Sequence, residues 1–342
     1  MPAKVRTMNA FVLTRYGGPE AAEFRQIPLP EPKRGEIRIR VRAAGLNPVD
    51  FKIRKGMLAI LVKYGFPIVL GNELSGTVDA IGEGARRFVL GDEVFARVEK
   101  VTMGAFAEYA CVPERLVARK PRSLDFAQAA VVPLAGLTAL QVLRDELHAA
   151  MGQRLFIPGG AGGVGTFAIQ LARHFGAEVT TTASPRGKQL VTRLGANRVV
   201  DYTESALPKD LGEHDAAFDL IGGASLSRAF QVVRRGGRVV SIAGMLEPKT
   251  ITKDLGLGLG FAALFWLLSF PTRFRAWLRG QTYRCYLMHP DGGDLAQLAA
   301  FVDANVLEVV VDRVFLFSQI AEAFAYLELG HAKGKVVVEV SR

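Results

Sequence analysis

Gly160, Gly162 and Gly165 stand in G-x-G-x-x-G spacing within the run Ile157-Pro158-Gly159-Gly160-Ala161-Gly162-Gly163-Val164-Gly165-Thr166. An apolar stretch precedes the glycines and an amphipathic one follows, so they read as a strand end, a tight turn and a helix start. Such a turn lets the backbone approach a pyrophosphate, which the free N–H groups and dipole of the helix N-terminus attract. The chemistry this supports is dinucleotide binding, with hydride transfer as the leading reaction. The chain holds 36 glycines, so the spacing counts only because its context is right on both sides. An Asp or Glu roughly 20 residues past such a turn reads the adenosine ribose of NAD. Here that place holds Thr182-Ala183-Ser184-Pro185-Arg186-Gly187-Lys188, without an acid. An acid would repel a 2′-phosphate, whereas Ser184, Arg186 and Lys188 could bond it. The expected cofactor is NADPH rather than NADH; the plainer alternative is that Arg186 and Lys188 line a solvated first helical turn.

Strands and helices must alternate to position these residues, and the pattern does so. Arg154–Pro158 reads as a strand, Val164–Phe175 as a helix, Glu178–Thr182 as a strand and Arg186–Leu194 as a helix. Arg198–Val200, Phe218–Ile221 and Arg238–Ala243 follow as short strands. This rhythm implies a doubly wound parallel sheet. The first 125 or so residues differ: Ala10–Thr14, Glu36–Ala44, Ile68–Ile81, Glu93–Arg97 and Ala107–Val112 read as strands punctuated by glycine. Lys335–Val340 returns to strand character.

With 342 residues, the chain exceeds the roughly 250–300 that one core supports, so two domains are expected. The net charge of +10 admits nucleic-acid binding. However, Arg38, Arg40 and Arg42 alternate with Ile37, Ile39 and Val41, as on the outer face of a half-buried strand. Two cysteines, Cys111 and Cys285, exclude a disulfide scaffold and four-thiolate zinc within one chain. Met1–Asn9 has no apolar core of a signal peptide, and a cytoplasmic location is expected.

Several further segments resemble the medium-chain dehydrogenase/reductase superfamily, in its zinc-independent quinone oxidoreductase branch. They are Gly45-Leu46-Asn47-Pro48-Val49-Asp50, Leu70-Gly71-Asn72-Glu73-Leu74-Ser75-Gly76, Leu90-Gly91-Asp92-Glu93-Val94-Phe95, Pro133-Leu134-Ala135-Gly136-Leu137-Thr138-Ala139 and Gly330-His331-Ala332-Lys333-Gly334-Lys335. The resemblance spans nearly the whole chain. It implies an α/β protein: a chaperonin-10-like, β-rich catalytic domain from residues 1–126 and 281–342, plus a Rossmann domain over 127–280. It implies a homodimer. It also implies that Asn47 lies near the nicotinamide and the acceptor pocket, and that Thr138 contacts the nicotinamide side. By the same likeness Gly162, Gly163 and Val164 approach the pyrophosphate, Ser184, Lys188 and Tyr202 surround the 2′-phosphate, and Ala243 and Gly244 abut the nicotinamide. Packing alone would also suit the small Thr138 and Ala243. The zinc-using alcohol dehydrogenases of the superfamily carry Cys where Asn47 stands and His where Asn72 stands. Neither amide is a good zinc ligand, and no metal is expected.

Without a Lewis acid, the suitable acceptors are electron-poor ones, such as a quinone or a conjugated enone. The developing oxyanion could take a hydrogen bond from Asn47, a backbone N–H, a ribose hydroxyl or a tyrosine. Some enoyl reductases of the superfamily use a tyrosine in the loop after the Asn47-type motif. Here Met57 holds roughly that place and Tyr64 lies nearby, as candidate proton donor or as packing residue. A zinc-free alcohol or aldehyde reductase, or a non-enzymatic NADPH-binding sensor or RNA-binding protein, stays open. Leu255–Thr272 carries no charge and Arg273, Arg275 and Arg279 follow. Three glycines and a proline argue against a membrane span. An apolar wall over the acceptor pocket or a subunit interface is expected, with peripheral membrane contact through residues 255–279 as the alternative.

Overall fold

The computed structural model describes residues 6–203 and 211–341; Met1–Val5, part of the segment read for a leader, lie outside the described residues. The chain forms two compact units. The first comprises residues up to Leu137, Pro290–Asn305 and those from Val309 onward; the second comprises Thr138–His289 and Val306–Glu308.

The first unit opens with β1 (Thr7–Leu13), β2 (Ala22–Pro28), β3 (Glu36–Leu46), α1 (Pro48–Arg54), β4 (Ile68–Val69) and β5 (Glu73–Ile81). It continues with β6 (Glu93–Arg97), β7 (Tyr109–Pro113), β8 (Val117–Arg119), α2 (Phe126–Ala130) and the start of α3 (Pro133–Gln141). The stretch expected as one strand over Ile68–Ile81 is two. Gly71 breaks it at φ +98°, and a side chain there would meet the Phe106 amide nitrogen at 2.6 Å. The alternation of β3 buries Ile37, Ile39 and Val41 completely, on the face that packs against Leu74, Val94 and Phe106. Arg38 departs from the solvated face expected of it. It is buried, and pairs with Asp79 at 2.7 Å and Glu31 at 3.2 Å. Arg42 stacks over Phe126 at 5.0 Å, and Arg40 alone of the three is exposed.

The second unit carries a six-stranded, wholly parallel sheet. Its elements are β9 (Arg154–Pro158), α4 (Gly163–His174), β10 (Glu178–Ala183), α5 (Pro185–Arg193), β11 (Arg198–Asp201), β12 (His214–Asp219), α6 (Gly223–Val232), β13 (Val233–Ser241), α7 (Leu259–Leu268), α8 (Phe270–Leu278) and β14 (Thr282–Cys285). The strand order is β11-β10-β9-β12-β13-β14, the doubly wound order that reverses beside its first strand. β12 begins four residues before the expected Phe218, because the polar pair His214-Asp215 hides a strand start whose His214 is buried. This unit runs to His289, past the expected 280, because β14 pairs in parallel with β13. It begins at Thr138 rather than 127, because α2 packs on β3 and β5 of the first unit. The uncharged segment Leu255–Thr272 supplies α7 and the first residues of α8, both short helices. Among the described residues no helix is long and apolar enough to cross a membrane.

The chain then returns to the first unit through α9 (Gly292–Asp303), β15 (Val311–Leu316), α10 (Ile320–Glu328) and β16 (Lys335–Glu339). β16 pairs antiparallel with the end of β3, Val336 opposite Leu46 and Val337 opposite Gly45. That register sets Lys335 beside Asn47. It completes a seven-stranded sheet in the order β15-β16-β3-β5-β6-β8, with β7 pairing on β3.

Candidate functional site

The glycine turn sits at the end of β9, between β10 and β12, where open parallel sheets bind ligands. Its glycines divide by what a side chain would meet. Gly159, which the spacing did not single out, makes the turn at φ +83°. A Cβ on Gly160 would lie 2.2 Å from Thr181 Oγ1, which is itself held by the Ile157 carbonyl at 2.6 Å. A Cβ on Gly165 would lie 2.4 Å from the Gly159 carbonyl oxygen, so the first turn of α4 packs directly on the glycine turn. Gly162 differs: the Gly159 oxygen at 3.3 Å is its one close neighbour. Gly162 is also the N-cap of α4 and brings no capping side chain. The N–H groups of Gly163, Val164 and Gly165 therefore have no partner within the helix. A bare, positive helix end faces the turn.

The end of β10 supplies the second part. β10 and β11 pair with Ala183 opposite Asp201, so Ser184 and Tyr202 leave the sheet edge side by side. Ser184 is the N-cap of α5 and its hydroxyl does not cap that helix. Arg186 and Lys188 are exposed on the first turn of α5. Asp201, the one acid here among the described residues, accepts bonds from the Thr203 hydroxyl at 2.7 Å and amide at 2.8 Å. These bonds hold it below its ordinary range.

At the ends of β12 and β13, the buried Asp219 accepts from the Ser241 hydroxyl at 2.6 Å and the Ser225 hydroxyl at 2.8 Å. The Ala243 amide donates to Ser241 Oγ at 3.1 Å. A Cβ on Gly244 would lie 2.3 Å from the Tyr283 hydroxyl, which donates to the Met245 carbonyl at 2.8 Å. Both small residues thus also have a packing reason. Thr138 is buried in α3.

The first unit holds a separate polar cluster in its core. Asn47 caps α1, and its own N–H donates to Asp50 at 2.7 Å, the reciprocal contact of a capping box. Asn47 Nδ2 donates to Glu73 Oε1 at 2.7 Å, and its Oδ1 accepts from the Lys335 ammonium. Lys335 also donates to Glu73 Oε1 at 2.7 Å and to the Leu46 carbonyl at 3.3 Å, which uses all three of its protons. The other oxygen of Glu73 accepts from the Leu134 amide at 2.6 Å, capping α3. Asn72 Nδ2 donates to Asp50 Oδ1 at 2.5 Å. Asp50 is wholly buried, and burial pushes its carboxyl up to about 7, against the opposing hydrogen bonds from Asn72 and Asn47. Burial lowers the Arg97 guanidinium to about 10, while the charges of Asp50 and Glu73 act to raise it. Tyr64 packs against the core of this unit, and its hydroxyl donates to the Lys100 carbonyl at 3.4 Å. Burial pushes that phenol up to about 12.

Comparison with known proteins places the chain. An alcohol dehydrogenase GroES-like domain matches residues 33–122, and a zinc-binding dehydrogenase domain matches residues 194–338. The chain is 35% identical to an NADPH-dependent alkenal/one oxidoreductase of the Arabidopsis thaliana chloroplast, over 97% of this chain and 80% of that protein. It is 32% identical to the 2-methylene-furan-3-one reductase of Solanum lycopersicum, over 97% and 79%. The quinone oxidoreductase of Coxiella burnetii superposes with a TM-score of 0.84 at 30% identity, over 98% of this chain and all of that one. The chain is a medium-chain dehydrogenase/reductase of the quinone oxidoreductase-like branch.

This dehydrogenase/reductase does not offer zinc a suitable donor set. The positions of the superfamily's Cys and His ligands hold Asn47 and Asn72, whose amide nitrogens are turned to Glu73 and Asp50. Lys335 already places a positive charge against Asn47 and Glu73. Among the described residues no three His, Cys, Asp or Glu side chains group closely enough to hold an ion. The second unit, by contrast, fits a dinucleotide: a helix end without a cap, a glycine the fold does not require, and two exposed cations, Arg186 and Lys188, just after Ser184. Sequence reasoning missed Glu73, Lys335, Arg97 and the carboxyl of Asp50. The Asn47-x-x-Asp50 spacing was the one local signal for any of them.

Proposed function

We propose that this protein is an NADPH-dependent oxidoreductase that passes hydride to a quinone or an α,β-unsaturated carbonyl acceptor. The observation that carries the cofactor is the end of β10, which passes into Ser184, Arg186 and Lys188 without an acid of its own, in the same sheet as the uncapped start of α4. The names of the alkenal/one oxidoreductase and furanone reductase relatives support the acceptor class. In this reading the N–H groups of Gly163, Val164 and Gly165 hold the pyrophosphate. Ser184, Arg186, Lys188 and Tyr202 hold the 2′-phosphate. Thr138, Ala243 and Gly244 are small enough to let the nicotinamide lie against them. When bound, NADPH supplies the hydride.

A conjugated acceptor spreads the arriving charge onto its own oxygen, so a hydrogen bond and dry surroundings suffice where a saturated alcohol or aldehyde would need more help. Asn47 and Tyr64 are the residues we assign to the acceptor side. The amide of Asn47 is committed to Glu73 and Lys335, so Asn47 acts as a positioning residue. The hydroxyl of Tyr64 is the freer donor, because its contact to Lys100 is long for an O–H···O bond. A metal-free homodimer in the cytoplasm belongs to the same proposal; the free thiols of Cys111 and Cys285 suit a reducing compartment. Nucleic acid has no part in it, since Arg38 and Arg42 are spent inside the first unit.

The test is NADPH oxidation by the purified protein against quinones, enones and saturated aldehydes. Turnover of quinones or enones, with aldehydes inert, is expected. Turnover of aldehydes alone would replace the proposal with a carbonyl reductase. No turnover with any acceptor, together with salt-dependent RNA binding, would replace it with a binding protein.

A further inference from the structure

α7 is apolar on every side, LGFAALFWLL, and a helix of that kind belongs in a core or against lipid. Here it is mostly exposed. Ala262 and Phe265 form its narrow buried stripe, continued by Ser269 and by Ala276 of α8. Leu264, Trp266, Leu267, Phe274, Trp277 and Leu278 stand in solvent, with Trp277 69% and Leu267 64% exposed. The aromatic rings run as a ladder along the two helices. Trp266 and Phe270 lie 6.2 Å apart, Phe270 and Phe274 5.5 Å, and Phe274 and Trp277 5.6 Å.

Along residues 255–290 the charge has one sign. No Asp or Glu occurs from residue 255 to 290, whereas Arg273, Arg275 and Arg279 do. Arg273 lies over the Trp266 ring at 5.4 Å and so borders the ladder, whereas Arg275 bonds Ser227 of α6 at 2.9 Å. Exposed tryptophan and leucine flanked by arginine suit the boundary between acyl chains and anionic headgroups. A span is excluded by length: ten residues of α7 reach about 15 Å, half the roughly 30 Å of a bilayer core. The helix also ends at Ser269, whose hydroxyl donates back to the Phe265 carbonyl at 2.6 Å. A second copy docked through the same face would set arginine against arginine.

We propose that α7 and α8 form an interfacial docking surface for an anionic lipid bilayer, lying in the plane of the headgroups. The proposal is independent of the catalytic reading, since its readout needs neither cofactor nor acceptor. The chain has two tryptophans, Trp266 and Trp277, and both are in the patch, so the intrinsic fluorescence of the unmodified protein reports on it alone.

The experiment adds vesicles of phosphatidylcholine, with or without about one third phosphatidylglycerol, to the full chain, and follows flotation and tryptophan emission. Flotation and a blue shift with the anionic vesicles are expected, with quenching by brominated acyl chains. The triple variant Arg273→Glu, Arg275→Glu, Arg279→Glu should bind them at least 100-fold more weakly, given about 1 kcal/mol per basic residue near such a surface. Circular dichroism and melting temperature show whether that variant is folded. Absence of both flotation and blue shift in the parent protein would overturn the proposal. So would a blue shift that rises with protein concentration alone, alongside a rise in mass, which would assign the patch to a second copy.

Discussion

Two glycines three residues apart should fail in opposite ways. Alanine at Gly162 meets the Gly159 carbonyl oxygen at 3.3 Å and little else, and Gly162 sits at φ −81°, open to any residue. Replacing glycine by alanine at an N-cap costs about 0.5–1 kcal/mol. The stiffer unfolded chain returns about 0.4–1 kcal/mol. The net change in stability is within about 0.5 kcal/mol, or roughly 2 °C in Tm. The new methyl group would nonetheless stand at the bare start of α4, where the pyrophosphate must come closest. Losing one charge-assisted hydrogen bond costs about 1.5–3 kcal/mol, so the Kd for NADPH should rise by roughly 10–100-fold. Alanine at Gly165 instead drives its Cβ to 2.4 Å from the Gly159 oxygen and 2.7 Å from Gly160 Cα, both backbone atoms that cannot swing away. Overpacking of that kind costs about 1–3 kcal/mol, so Gly165→Ala should melt several degrees lower. Melting curves and fluorescence titration with NADPH measure both quantities. A Gly162→Ala protein that binds NADPH as tightly as its parent would refute the assignment of this turn to the pyrophosphate.

The other expectations concern both units. Lys335→Met leaves Glu73 charged, buried and unpaired, and should cost about 3–5 kcal/mol in urea unfolding. The double variant with Glu73→Gln should recover most of that, and additive losses would show that the pair is not coupled. Arg186→Ala and Lys188→Ala should each weaken NADPH by about tenfold and leave NADH unchanged, since each removes about one charged phosphate contact of surface strength; equal weakening of both cofactors would remove the 2′-phosphate assignment. Tyr64→Phe should lower kcat without changing the Kd for NADPH, and an unchanged kcat excludes the phenol as donor. Asp50, pushed up to about 7 from an ordinary value near 4, holds a proton in the folded protein that the unfolded chain releases in between. Its contribution to stability is therefore fully present at low pH, shrinks as pH rises from about 4, and is gone above about 7. Melting temperature measured across that window should fall less steeply in Asp50→Asn than in the parent, and parallel slopes would refute the shift.

What could be read from residues alone followed the range of the interactions. The glycine turn, the parallel series and the absent ribose acid are local patterns, and β9 and β11 begin where the spacing put them. Gly159 escaped because its requirement is a positive φ, which spacing does not encode. Strand β12 was placed late because His214 and Asp215 are polar, and Asp215 is used to bind the Arg154 amide at 2.8 Å and Arg234 at 2.7 Å. Arg38 was read by alternation as solvent-facing. Its burial depends on Asp79, 41 positions away on β5, the next strand of the sheet. The polar cluster of the first unit was the least legible part, because Lys335 stands 262 residues from Glu73 and only the pairing of β16 with β3 brings them together.

That cluster also bears on how a dehydrogenase scaffold works with amides where others carry metal ligands. Asp50 and Glu73 are both carboxylic acids buried in one core, and the charge of Glu73 adds to the cost of charging Asp50. Asn47 and Asn72 donate hydrogen bonds to them but bring no positive charge. Lys335 and Arg97 supply the positive charge, one by direct contact with Glu73 and the other through its field on both acids. The ammonium of Lys335 bonds the side chain of Asn47 as well as Glu73, so it occupies the electrostatic place that a cation between them would need. Placing Cys at 47 and His at 72 would therefore not by itself create a zinc site. The lysine would still repel the ion, and removing the lysine without a metal present would strand Glu73. On this argument the two amides, the two buried carboxyls and Lys335 form one hydrogen-bonded unit.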